Sequence, residues 1–244
     1  MMHNFSIHVR DLSKRFGKTF ALSSISADFD PGQITALLGP NGSGKTTFLR
    51  IISGLLDGYT GSISVSGCSG SNYNSIIKNI SGYVPDTPAL YDSLTPMEIF
   101  RYIGAIRGVS DRDFRERLDR LCTSLDLYPY VERFTGDLSF GIRQKISIVS
   151  ALLHDPGIII MDESLNGLDP KSIGIVRDML IEMGENGRTV ILATHSLELA
   201  ESLCTNMIVL KEGRLAGQSR IYEKSGNSNE NALLREKYMG MTTG

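Results

Sequence analysis

The stretch Gly39-Pro40-Asn41-Gly42-Ser43-Gly44-Lys45-Thr46 matches the spacing G-x-x-x-x-G-K-[ST] of a loop that cradles nucleotide phosphates. The apolar run Ile34 to Leu38 precedes it and Phe48-Leu49-Arg50-Ile51-Ile52 follows, so the loop is expected to join a strand to a helix. Glycines at 39, 42 and 44 leave room for backbone N–H groups to point at phosphate oxygens, and a helix N-terminus behind them adds positive partial charge. Lys45 offers a full charge to the outer phosphates, and the Thr46 hydroxyl is placed for Mg²⁺. Pro40, Asn41, Ser43 and Thr47 complete the contacts expected around the nucleotide.

Further along the chain, Gly157-Ile158-Ile159-Ile160-Met161-Asp162-Glu163 reads as a buried strand that ends in two carboxylates. Open α/β sheets bind ligands at the C-terminal ends of their strands. Asp162 is therefore expected to hold Mg²⁺ together with Thr46, and Glu163 to polarise a water for attack on a γ-phosphate. His195 follows another apolar strand, Thr189 to Ala193, and is expected to contact the γ-phosphate from the same sheet edge.

Around these motifs the chain alternates strands with helices, which implies a mainly parallel α/β sheet. Phe5 to Arg10 alternates polar and apolar residues as an edge strand would, and Ala21 to Asp30 reads as its neighbour. Short strands are expected at 63–65 and 80–84. From Thr95 to His154 the pattern turns helical. One helix opens at Thr95-Pro96, and a second covers Asp111 to Leu125, with charges at i,i+4 spacing (Asp111 with Arg115, Asp113 with Arg117, Glu116 with Arg120). A third runs from Ser139 to His154. After helices at 170–184 and 197–204, a hairpin turning at Glu212-Gly213 closes the domain.

Composition sets the outer limits. The chain has 244 residues, 41% of them hydrophobic, and a formal net charge of −2, which gives no electrostatic footprint for nucleic acid. Three scattered cysteines have neither metal spacing nor a disulfide pattern, as in a reducing compartment. No signal peptide is expected, and no apolar run reaches the roughly 18 residues of a membrane helix.

Taken in order, these motifs resemble the ATP-binding subunit of an ABC transporter over residues 5 to 220. Leu138-Ser139-Phe140-Gly141-Ile142-Arg143-Gln144 is similar to that family's signature sequence, with Phe140 in place of the first of two glycines and Ile142 in place of the next Gln. The resemblance implies a P-loop NTPase core (mainly parallel sheet) with an N-terminal antiparallel β subdomain and an inserted α-helical subdomain at about 87–155. Residues 1–222 would form the ATPase domain, and 223–244 a polar linker with a short helix. Ser139 and Gly141 would cap the γ-phosphate held by a second ATP-binding subunit in a head-to-tail dimer, homomeric or heteromeric. Asn166-Gly167-Leu168-Asp169 resembles the loop that crosses between the two sites, and Phe16 the aromatic that stacks on adenine.

At 86 the family usually has Gln, which reaches Mg²⁺ and the attacking water. Asp86 stands there instead, a shorter carboxylate still expected to serve as metal ligand and sensor. The implied activity is Mg²⁺-dependent ATP hydrolysis that drives transport, with a lean toward export, through a separate transmembrane permease. The chain would sit on the cytoplasmic face of the plasma membrane. Tyr91, Leu94, Met97, Phe100 and Arg101 are candidates for the permease contact. A soluble ABC-type ATPase acting as a cytosolic switch is the alternative. A kinase or GTPase fits neither the signature nor His195.

Overall fold

The computed structural model describes residues 5–70, 73–221 and 240; the linker and terminal helix expected over 223–244 lie, apart from Gly240, outside them. In chain order the first elements are β1 (Ile7–Phe16), β2 (Thr19–Phe29), β3 (Ile34–Leu38), α1 (Lys45–Ile52), β4 (Thr60–Val65), β5 (Cys68–Ser69), α2 (Tyr73–Ile80) and β6 (Ser81–Val84). There follow α3 (Pro96–Ile106), α4 (Asp111–Ser124), α5 (Phe140–Leu152), β7 (Ile158–Asp162), α6 (Pro170–Glu185), β8 (Thr189–Thr194), α7 (Leu197–Leu203), β9 (Asn206–Lys211) and β10 (Arg214–Arg220). The chain forms two compact units, Met1–Lys78 with Leu180–Gly244, and Asn79–Met179.

In the first unit β3 pairs in parallel with β8 on one side and β9 on the other, and β10 returns antiparallel along β9. Every residue of β3 and β8 is buried, and their unbroken apolar runs suit strands covered on both faces. An antiparallel sheet in the order β2-β1-β4-β5 makes up the rest of the unit's β structure. There the Phe29 ring of β2 meets Phe48 of α1 at 6.1 Å between centroids. Contrary to the expectation of an edge strand, β1 pairs on both sides, with β2 and with β4. Alternation reports that one face of a strand is buried and says nothing of how many neighbours the strand has. Also unforeseen is α2, whose Tyr73, Ile76, Ile77 and Ile80 have helical spacing. Its Tyr73 hydroxyl donates to the Ile52 carbonyl at the end of α1.

The second unit carries the parallel pair β6–β7 and the helices from α3 to α5. The start of α3 is fixed by a reciprocal capping box. The Thr95 hydroxyl accepts from the Glu98 amide, and the Glu98 carboxylate accepts from the Thr95 amide at 2.8 Å. On α4 the expected pairing of Asp113 with Arg117 gives way to a longer reach, since Arg117 donates to Leu153 O and lies 3.8 Å from Asp155. Helix α5 lies so close on β6 that a Cβ on Gly82 would stand 2.3 Å from the Ala151 carbonyl oxygen.

Just beyond α5, the His154 ring nitrogen Nε2 is 3.1 Å from Ser81 O. Burial, with the Arg107 charge nearby, pushes its pKa from the ordinary 6.5 down to about 4. A lowered histidine pKa means that the unfolded chain takes up the proton first. The contribution of His154 to stability is therefore complete above pH 6.5 and is lost as pH falls toward about 4. His154→Gln keeps an N–H for Ser81 and removes the titration. It is expected to flatten the loss of stability over that window by about 2 kcal/mol, read from urea midpoints at pH 7 and pH 5.

Candidate nucleotide site

The loop after β3 is shaped by close approach. A Cβ on Gly39 would lie 2.3 Å from Leu210 O and 2.6 Å from the Ser43 hydroxyl, so any larger residue would push the loop off β9. Gly44 caps α1 with φ +103, in the left-handed region, and a Cβ there would be 2.8 Å from Ala21 O. The β9–β10 turn braces the loop from behind, since Gly213 N donates to Ser43 O at 3.0 Å and Ser23 N to Gly213 O at 2.7 Å.

Lys45 is buried and folds back over the loop, its Nζ donating to Gly39 O at 2.8 Å and to Pro40 O at 3.2 Å. The Ser43 hydroxyl is buried without a hydrogen-bond partner. Thr46 and Thr47 are half-buried in the first turn of α1, which contains no acidic residue. A buried cation, an orphan hydroxyl and an uncompensated helix N-terminus together suit a polyanion. Pro40, Asn41 and Gly42 form the exposed rim.

Register brings His195 to this end of the sheet. Leu38, just before Gly39, stands opposite Thr194, just before the exposed His195. Phe16 ends β1 about half exposed, with Lys14 Nζ 5.1 Å from its ring centre. A second exposed aromatic, Phe20, was not foreseen. It pairs across from Arg15, whose guanidinium is 4.6 Å from the ring. Since Phe16 pairs with Thr19, the two rings take opposite faces of the hairpin.

In the second unit the pairing Val84↔Met161 puts Asp162, the last residue of β7, and Asp86, two residues past β6, at the same ends of adjacent parallel strands. Asp162 is almost wholly buried and accepts from the Tyr83 hydroxyl at 3.3 Å. Asp86 is exposed, and its carboxylate accepts from Thr87 N at 2.7 Å. Glu163 has φ +49, an unusual conformation for a glutamate, and accepts from Asn166 Nδ2 at 3.2 Å. Ser139 occupies the N-cap position of α5, but its side chain makes no capping bond. The exposed hydroxyl is therefore available to a ligand.

Several contacts were not legible in the sequence. Gln144, fully buried, donates to Pro85 O at 3.2 Å and to Ser164 O at 2.9 Å. Lys145 lies 3.0 Å from Asp169. Hydrogen bonds from Ser172 and the Lys145 ammonium hold the Asp169 carboxyl well below the usual carboxylate range. The run Arg143-Gln144-Lys145, three long polar residues in succession within α5, was the available signal.

The family model described as "ABC transporter" matches residues 22–166. An uncharacterized ABC transporter ATP-binding protein of Methanocaldococcus jannaschii is 34% identical over 88% of this chain and 78% of its own length. The Nod factor export ATP-binding protein I of Cupriavidus metallidurans is 31% identical over 89% of this chain and 72% of its own. A solved structure of an ATP-binding subunit of an ABC transporter superposes with a TM-score of 0.87 at 30% identity, covering 96% of this chain and 98% of that one. The chain belongs to the ABC transporter family, as an ATP-binding subunit with ATPase activity. Its antiparallel β subdomain, mainly parallel sheet and helices make up a P-loop NTPase fold.

Proposed function

We propose that this chain powers export through a separate transmembrane permease, acting as one half of a head-to-tail pair of ATP-binding subunits on the cytoplasmic face of the membrane. The observation that carries the proposal is the 39–46 loop, where buried Lys45 and the unpartnered Ser43 hydroxyl sit at the head of α1. That arrangement neutralises and orients a triphosphate, which is most of what phosphoryl transfer to water requires. Thr46 and Asp162, with Asp86, are the residues proposed to hold Mg²⁺, which when bound would supply positive charge against that of the phosphates. Glu163 takes a proton from the attacking water as its oxygen bonds to the γ-phosphorus and the bond to the leaving ADP oxygen breaks. His195 contacts the γ-phosphate, and Phe16 stacks on the adenine.

Ser139 and Gly141 of each subunit are proposed to cap the nucleotide held by the other. ATP then closes the pair and hydrolysis reopens it. That the structural neighbour is the ATP-binding subunit of an ABC transporter supports a separate permease, and the export role of the Cupriavidus metallidurans relative supports the direction. Among the described residues no helix is long and apolar enough to cross a membrane. For the permease contact, Tyr91 is about three-quarters exposed, and Phe134 is held beside it because Thr135 N donates to Leu94 O and Thr135 Oγ1 to Tyr91 O. Phe100, in contrast, is wholly buried and belongs to the core of the helical segment; Tyr102 and Ile106, four residues apart on α3, are the exposed apolar pair there.

The decisive experiment is an affinity pull-down of the tagged chain from its own membranes in mild detergent, read by mass spectrometry. A stoichiometric polytopic membrane protein is the expected outcome. Recovery of soluble partners alone, with the chain absent from the membrane fraction, would overturn the transport reading in favour of a cytosolic ATPase switch.

A further inference from the structure

We infer that Phe140 and Asn166 are positioning residues for Glu163: the Phe140 ring packs across Gly167 and fixes the loop so that Asn166 steadies the Glu163 carboxylate. The inference rests on the role of Glu163 proposed above. It turns the departure at the head of α5, a phenylalanine where the family pattern has glycine, into part of the site.

The geometry at Gly167 carries the argument. A Cβ there would stand 2.6 Å from Phe140 Cε1 and 2.7 Å from Cδ1, so the ring occupies the space that any other residue at 167 would need. Gly167 also has φ +81, a conformation that favours glycine for a second, independent reason. On the other side of the same contact, a Cβ on Gly141 would be 2.8 Å from Gly167 O. The first turns of α5 are tied to this loop at two further points, Gln144 Nε2 to Ser164 O at 2.9 Å and Lys145 Nζ to Asp169 at 3.0 Å. The loop therefore cannot shift at 164, 167 or 169 without disturbing the helix.

Asn166 sits between these anchors. Its amide nitrogen donates to Glu163 O at 3.2 Å, and its side-chain Nδ2 donates to Glu163 Oε2, also at 3.2 Å. Glu163 itself has φ +49, a backbone that persists only where its surroundings over-determine it. With glycine at 140 nothing would cover Gly167, and the loop would be free to relax around its flexible residue. The ring is still about half exposed. A partner subunit pressing on this end of α5 would bear on the same piece of structure that orients the catalytic carboxylate.

The test uses the full-length chain and steady-state ATP hydrolysis, with four variants beside Glu163→Gln. Phe140→Ala and Asn166→Ala are each expected to lower kcat roughly 10-fold with KM for ATP unchanged, well short of the loss of the general base itself. The double variant should fall no further than either single one, because both act through one contact chain. Phe140→Tyr, which keeps the ring, should retain wild-type kcat. Far-ultraviolet circular dichroism and the melting temperature confirm folding, and Phe140→Tyr serves if Phe140→Ala does not fold.

Unchanged or faster turnover in Phe140→Ala, additive losses in the double variant, or an effect confined to KM would each overturn the inference. So would loss of kcat in Phe140→Tyr. These results leave the role of Glu163 standing as long as Glu163→Gln is inactive. Hydrolysis persisting in Glu163→Gln would instead remove the reading on which the inference depends.

Discussion

Glu163→Gln is expected to lower steady-state ATP hydrolysis by roughly 10²- to 10⁴-fold, the usual contribution of a general base, while leaving ATP binding intact. The substitution changes one oxygen to nitrogen and keeps the side chain's volume, so its effect reports proton acceptance and not packing. Nucleotide should accumulate unhydrolysed, and the subunits should be trapped as a closed pair, seen as a dimer peak in size-exclusion chromatography with ATP and Mg²⁺. Hydrolysis at the wild-type rate would sink the assignment. A companion variant separates strain from chemistry. Glu163 has φ +49, so Glu163→Gly should relieve backbone strain of about 1 kcal/mol and raise the melting temperature while also abolishing turnover. A residue held in an unfavourable conformation for no catalytic purpose would give stability without loss of activity.

The parts of this site that could be read from the sequence are those whose neighbours are covalent. The phosphate loop, the carboxylates ending β7 and the histidine after β8 each follow a buried strand within a few residues, so alternation and apolar runs place them on one kind of sheet edge. The pairing of Leu38 with Thr194 shows why that works, since parallel register puts the ends of adjacent strands level. What escaped depends on packing between distant positions. Gln144 touches carbonyls at 85 and 164, and Phe140 touches Gly167, with no pattern in the intervening chain to announce either contact.

The misreadings have physical causes of the same kind. Alternation in β1 is set by which face is buried, so it could not distinguish an edge strand from one paired on both sides. The helix at 73–80 follows a run rich in glycine and serine, and its four apolar residues span barely two turns, too short for periodicity to stand out. Phe100 looked available for a partner because aromatic residues suit interfaces as well as cores. Its place on α3, one residue after buried Ile99, turns it inward.

Lys45→Ala is expected to have the other large effect, on binding as well as on turnover. The ammonium is buried beside the loop and bonded to Gly39 O and Pro40 O, so two interactions are lost together. Losing the bonds to the carbonyls leaves Pro40 O within reach of water at the exposed rim but Gly39 O buried without this donor, and the cost to folding should be about 2 kcal/mol. Losing the charge facing a triphosphate has no such replacement, because α1 and the backbone amides supply only partial charges. Affinity for ATP should therefore fall by more than about 100-fold, near 3 kcal/mol, and hydrolysis should become undetectable. Titration with a fluorescent ATP analogue measures the first effect, and a melting curve without nucleotide the second. Lys45→Arg sharpens the test, since it keeps the charge but brings a planar fork into a space formed around an ammonium. It should recover less than a tenth of wild-type turnover if shape matters as well as charge. Binding of ATP to Lys45→Ala within threefold of wild type would mean that the glycine cradle and helix N-terminus hold the nucleotide unaided, and the site would then have to be assigned to backbone amides alone.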